Sequence, residues 1–328
     1  MASRSINIIS VPSDVGSVYA GKSRAPAAFE TAGLEDKLGA AGWQTTASTA
    51  LPQGPVGWTS STRQPNGARN EVETVKACNQ VREAVGNALA ASDTGSGHPP
   101  PFQLILAGEC LYCPAILSAY WEHLKGTMKR IGIVYIDADC DLYTPSEPTS
   151  SGNIAGMTLT HLTLREGALE SMRGFCRPDG AGVVDNTNIL LFGLNIDAPA
   201  NKREHLGFLF DHGFRVTTSQ SVQRDPIKEA KSALEWMEDN VDYIFVHLDV
   251  DVIDPGLYPL GNVPNWTGLS FEATMAALKT FLGSGKVVGL SIAEVNPDHD
   301  PGLRMTSQLV DNIVDGLGGW RASGGFAE

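Results

Sequence analysis

Positive charge, long apolar runs and a paired set of cysteines are what this 328-residue chain lacks. Lysine and arginine together number 24 against 37 aspartates and glutamates, a formal net charge of -13. That balance excludes a nucleic-acid surface, because phosphate binding depends on basic side chains neutralising the backbone. No apolar run approaches the roughly 20 residues that a spanning helix needs. The opening Met1-Ala2-Ser3-Arg4-Ser5 leads into a strand-like Ile6 to Ile9 rather than a signal peptide. Cys78, Cys110, Cys113, Cys140 and Cys176 are odd in number and form no spaced framework, so reduced thiols are expected. These absences predict a cytoplasmic protein whose partners are a small-molecule substrate and other subunits, with no nucleic acid and no membrane.

What is present is the pattern of an α/β protein. Apolar strand-like runs at Ile6–Ser10, Phe102–Ala107, Ile131–Ile136, Asn188–Gly193, Phe214–Thr217, Tyr243–Leu248 and Val287–Ala293 are mostly separated by helical stretches. The helices are predicted at Pro26–Gly33, after Asn70 as a cap with Glu73 at its third position, and at Pro114–His123, Pro226–Asn240, Ser270–Leu282 and Ser307–Leu317. Near-continuous apolar strands alternating with helices imply a mostly parallel sheet covered on both faces. With 42% hydrophobic residues the chain reads as one domain, 1–328, carrying surface insertions at 52–69 and 92–101.

Two acidic blocks stand where buried strands end. Asp137-Ala138-Asp139-Cys140-Asp141 follows Ile131–Ile136, and Asp249-Val250-Asp251 follows Tyr243–Leu248. In open parallel sheets ligands gather outside the carboxyl ends of strands, so five carboxylates at two such ends can converge on a divalent metal. A single Asp-x-Asp after a strand is usually a cap or loop, and two blocks with a late Glu294 make that reading weaker. Cys110 and Cys113 have C-x-x-C spacing without a second pair, which leaves redox chemistry, zinc and plain buried thiols all open. Cys140 points away from its flanking aspartates if the stretch is extended. Of the seven histidines, His247 is best placed to approach the acids, and His299 lies just past Glu294.

Four ordered motifs resemble those of the arginase and agmatinase family, the ureohydrolases. The family's Gly-Gly-Asp-His, Asp-Ala-His-x-Asp, Ser-x-Asp-x-Asp-x-x-Asp-Pro and late Glu-x-x-Pro have counterparts in Ala107–Cys110, Asp137–Asp141, His247–Pro255 and Glu294–Pro297. Thr149–Asn153 looks like its substrate loop and Gly21–Pro26 like its first loop. The resemblance implies a three-layer αβα fold, two bridged Mn²⁺ ions and hydrolysis of a guanidino or amidino C–N bond. It implies metal ligands at Cys110, Asp137, Asp139, Asp141, Asp249 and Asp251, with Asp137 and Asp249 bridging and Asp141 near the reacting centre. Glu294 would face the substrate's cationic group, Ser151 and Asn153 would contact its far end, and the chain would form a homo-oligomer.

The departures are chemically specific. Three family histidines are replaced by Cys110, Asp139 and Ala155; Tyr143 stands at an asparagine that reads an amino-acid substrate, and Val263 replaces a turn threonine. Five aspartates and a Cys110 thiolate would set six negative charges against the four positive charges of two divalent ions. Relief requires protonation, a metal of higher charge or a cationic ligand. Carboxylates suit Mn²⁺ and a thiolate suits Zn²⁺, so one or two ions of either metal are expected. Arginine is disfavoured as substrate. Two alternatives stay open: a repurposed enzyme performing cyclisation, condensation or elimination, and a catalytically inactive paralogue.

Overall fold

The computed structural model describes residues 5–60, 62–91 and 100–322. Eight strands, β1 (Ser5–Val11), β2 (Gln44–Thr49), β3 (Phe102–Ala107), β4 (Ile131–Ile136), β5 (Ile189–Leu194), β6 (Arg215–Thr218), β7 (Tyr243–Asp249) and β8 (Val287–Ala293), form one sheet. Its order is β2-β1-β3-β8-β7-β4-β5-β6, and every pairing is parallel. The helices are α1 (Ala25–Thr31), α2 (Leu34–Ala40), α3 (Glu71–Ala91), α4 (Cys113–His123), α5 (Thr158–Thr163), α6 (Arg203–Asp211), α7 (Ser219–Arg224), α8 (Pro226–Asn240), α9 (Phe271–Leu282) and α10 (Arg304–Ala322).

The pleat divides the core into the two outer layers of an αβα sandwich. Ile6 and Ile8 of β1, Val134 and Ile136 of β4, and Val246 and Leu248 of β7 pack with Phe29, Leu38, Leu278, Phe281 and Ile313 of α1, α2, α9 and α10. Ile9, Val11, Ile133, Tyr135 and Phe245 face the opposite way, against Val81, Val85, Ile116, Tyr120, Leu159 and Leu209 of α3 to α6. Strands buried on both faces have no polar side to alternate with, which is why their sequences run continuously apolar.

Local signals set several boundaries. Ser270 Oγ accepts from the Ala273 N–H at 3.1 Å to start α9, and Asp225 Oδ1 accepts from the Lys228 N–H at 3.2 Å ahead of Pro226 in α8. The last helix runs well beyond the expected Ser307–Leu317. Strand β2 and helices α2, α5, α6 and α7 were not expected. Segment 52–69, read from sequence as a surface excursion, is tied down: Val56 bridges Ser13, the Arg69 N–H donates to the Gly152 carbonyl, and Arg63 and Arg69 Nε donate to the Ser151 carbonyl. The expected insertion at 92–101 lies largely outside the described residues. Among the described residues, no helix is long and apolar enough to cross a membrane.

Candidate metal centre

Strands β3, β8, β7 and β4 are adjacent in the middle of the sheet, so their carboxyl ends bring residues 108–110, 294, 249–251 and 137–141 to one place. Each strand hands over its functional residue through a local turn. At the end of β3, a Cβ on Gly108 would stand 2.0 Å from the Ser13 carbonyl oxygen, so only glycine lets the chain pass and deliver Glu109 and Cys110 inward. At the ends of β4 and β8, Asp141 and Glu294 hold left-handed backbone with φ of 47° and 65°. Such a conformation costs a non-glycine residue on the order of 1–3 kcal/mol and concentrates at functional sites.

The acids are buried and close. One ligand atom each from Asp137, His247 and Asp249 lie within 4.8 Å of one another, and so do those from Cys110, Asp249 and Glu294, with Asp249 shared. Asp137 Oδ1 accepts from the Asp139 N–H at 2.7 Å, and Asp249 Oδ1 from the Asp251 N–H at 3.0 Å. Asp141 Oδ2 accepts from Tyr135 Oη at 2.7 Å and lies 3.7 Å from Cys110 Sγ. Within this cluster three buried atoms, Asp139 Oδ1, Asp251 Oδ1 and His247 Nε2, have no hydrogen-bond partner among the described residues.

Electrostatics make the cluster costly on its own. Burial first, and the neighbouring carboxylates second, push Asp137, Asp249 and Asp251 well above the usual carboxylate range. Burial raises Asp139 to about 6, and burial with the Asp139 charge raises Asp141 to about 8. The Cys110 thiol is likewise raised well above its ordinary value, by burial and then by Asp141. Orphaned oxygens, an orphaned ring nitrogen and repelling carboxylates suit a divalent cation, and Asp137, His247 and Asp249 could hold one, with Asp139 and Asp251 beside them in the chain.

A positive charge inside the protein was not foreseen. Lys22 is fully buried, and among the described residues no other lysine or arginine is. Its ammonium donates to Glu294 Oε2 and to Ser17 Oγ. Desolvation opposes its charge, and the attraction of Glu294 and Glu109 outweighs that and raises its pKa. Glu109 is fixed by Tyr112 Oη at 2.9 Å, the Gly16 N–H at 2.8 Å and Ser13 Oγ at 3.2 Å, and burial lifts it to about 8. A loop lysine beside a glycine reads as solvated, and no signal in a single sequence pairs it with a glutamate 272 residues away.

The remaining expected residues surround this cluster. Asn153 is buried and its N–H donates to Ser151 Oγ at 3.2 Å, while Ser151 is exposed on the loop clasped by Arg63 and Arg69. Ala155 is buried, and its carbonyl lies 3.6 Å from Cys110 Sγ. Tyr143 packs edge-on to His205 with ring centroids 4.7 Å apart. His299 sits exposed with Nδ1 3.1 Å from the Gly261 carbonyl, outside the buried acids. Cys140 is buried in the core and Cys113 is the first residue of α4, and neither thiol belongs to the two close groups of potential ligands.

The model of the Arginase family matches residues 4–318. The chain belongs to the arginase family. An arginase of Staphylococcus aureus strain MRSA252 is 29% identical over 301 residues, covering 90% of this chain and 92% of that protein. The arginase structure from Entamoeba histolytica superposes with a TM-score of 0.80 at 21% identity, over 97% of this chain and 99% of that one. The formimidoylglutamase from Bacillus subtilis superposes with a TM-score of 0.66 at 18% identity, over 96% and 87%. Members of the arginase family are hydrolases, and divalent-metal dependence is general among them.

The raised carboxylates give the metal-free arginase-family chain a defined pH response. Asp139, Asp141 and Glu109 keep protons in the folded state up to about 6, 8 and 8, whereas the unfolded chain releases them near the ordinary carboxylate value. The folded state therefore binds more protons between about pH 4 and pH 8, and stability falls as pH rises through that window. In chelator, the melting temperature is expected to drop from about pH 5 to about pH 8, and saturating Mn²⁺ or Zn²⁺ is expected to restore it most at the higher pH, because metal displaces those protons. A melting temperature that rises with pH in chelator would contradict the buried-acid picture.

Proposed function

We propose that this protein is a metal-dependent hydrolase cleaving a C–N bond in a guanidino or amidino compound other than arginine. The convergence of buried carboxylates with orphaned acceptor atoms at the ends of four neighbouring strands carries this reading. A divalent ion held there supplies Lewis acidity for hydrolysis. Asp137 and Asp249 would hold it, with Asp139, Asp141, Asp251 and Cys110 around them. Asn153 and Ser151 sit on the loop that would contact the far end of the substrate.

Lys22 supports excluding arginine. The carboxylate that would receive a guanidinium, Glu294, is already neutralised by a buried ammonium, so a second cation brought beside it meets like charge in a desolvated pocket. A reacting group that is uncharged, such as an acylated guanidine, or one with a carboxylate beside the amidine, avoids that repulsion. Ala155, at the position of a proton-carrying imidazole, favours the second reading, a non-hydrolytic reaction on the same scaffold, because a methyl group moves no proton.

A panel separates them. Metal-loaded protein is expected to release urea, ammonia or an amide product from acylated guanidines or carboxylate-bearing amidines, and to leave arginine and agmatine unconverted. Turnover of arginine as the preferred substrate would refute the role given to Lys22; no C–N cleavage across the whole panel would favour the second reading.

A further inference from the structure

His247 occupies the serine position of the Ser-x-Asp-x-Asp motif, two residues before Asp249 on β7. Successive side chains alternate across a sheet, so residues 247 and 249 share a face. Register sets His247 between Tyr135 of β4 and Ser291 of β8. Tyr135 stacks on the imidazole with centroids 4.8 Å apart at 25°, and Ser291 Oγ lies 2.7 Å from Nδ1. His247 is 1% exposed, and its Nε2 has no hydrogen-bond partner among the described residues.

A buried imidazole serving only to fill the core would be expected to satisfy both nitrogens, since an orphaned buried polar atom loses its hydration without compensation. Here one nitrogen is engaged by a hydroxyl and the other is left over, in a ring whose ligand atom lies within 4.8 Å of carboxylate oxygens of both Asp137 and Asp249. One ring nitrogen held by a hydrogen bond, with the other free, is the usual preparation of a histidine for a metal. Positive charge cannot supply the missing partner, because Lys22 is committed to Glu294 and Ser17.

We infer that His247 is a metal ligand: with Asp137 and Asp249 it forms a one-imidazole, two-carboxylate site for a divalent transition-metal ion, Zn²⁺, Mn²⁺ or Fe²⁺ by donor type. The imidazole lost at Cys110, just after β3, is thereby replaced from β7. The two carboxylates of this group balance the charge of that one ion. Ser291 is a positioning residue that fixes which ring nitrogen faces the ion. This inference rests on the metal-dependent reading above.

The test uses the full chain loaded with Co²⁺ or Zn²⁺. His247→Gln keeps volume and polarity and is expected to weaken metal affinity by at least about 100-fold, beyond the ~10–100-fold that loss of an outer partner costs, with Ser291→Ala inside that smaller range. In the Co²⁺ protein, a hyperfine-shifted, solvent-exchangeable ring N–H resonance is expected in wild type and is expected to vanish in His247→Gln. Should the variant fold poorly, X-ray absorption of the wild-type Zn²⁺ protein decides alone, with imidazole scattering at about 2.0–2.1 Å expected. Metal bound equally by wild type and variant with the same resonances, or a wild-type spectrum without imidazole, would overturn the assignment and leave the metal reading intact. Wild-type protein that binds no metal would refute both.

Discussion

Asp249→Ala is expected to reduce affinity for Mn²⁺ or Zn²⁺ by more than about 100-fold, and Asp137→Ala to do the same. Asp249 belongs to both close groups of potential ligands and Asp137 to the one containing His247. Each substitution removes a donor and a negative charge together, in a pocket where water cannot replace either. The same substitutions relieve repulsion, because Asp249 raises the pKa values of Asp137 and Asp251, and Asp137 raises that of Cys110. The metal-free variants should therefore melt no lower than metal-free wild type above about pH 7, while losing the metal-dependent increment of stability. Calorimetric titration with melts in chelator and in metal checks both halves. Retention of wild-type affinity in both variants would refute the placement of the ion.

The second large effect concerns Lys22 and Glu294. Their side chains are 0% and 4% exposed, so removing one partner leaves the other charge with little solvent. Glu294→Met is expected to cost about 3–5 kcal/mol in urea unfolding with chelator present. Replacing both, Lys22→Met with Glu294→Met, removes the stranded charge and should return stability to within about 2 kcal/mol of wild type, since a buried pair is often no better than apolar residues of similar volume. The pair is then explained by what it does to the pocket, namely holding Glu294 neutralised, rather than by a contribution to stability. A loss below about 1 kcal/mol in Glu294→Met would show that the buried charge has another partner.

Seven of the eight strands were legible: β1, β3, β4, β5, β7 and β8 are apolar runs that are largely buried, and β6, a part-exposed edge strand, directly follows the buried Phe214. β2 was not: Gln-Thr-Thr-Ala-Ser-Thr lies on the sheet edge and is largely exposed, so no burial constrains its polarity. The short helices α5 and α7, six residues each, offer too few turns for a periodic signal. The acidic residues were legible because they directly follow recognisable strands, and parallel strands deliver their carboxyl ends to one side. What surrounds them was not. Tyr135 is inside an apolar strand, where it reads as core, and although His247 was marked as the histidine best placed to approach the acids, only the β4–β7 register shows that the two rings stack. Lys22 meets Glu294 through a first loop that folds over the end of β8, a long-range closure that carries no local pattern. Segment 52–69 has the Gly and Pro content of a free loop, yet Arg63 and Arg69 spend it on holding Ser151.

The most direct test of the metal centre is the metal content of the wild-type chain after dialysis against Mn²⁺ or Zn²⁺, read by mass spectrometry beside Asp249→Ala. Stoichiometric metal in wild type and its loss in the variant is the expected result. A wild-type chain that retains no stoichiometric metal would contradict the account.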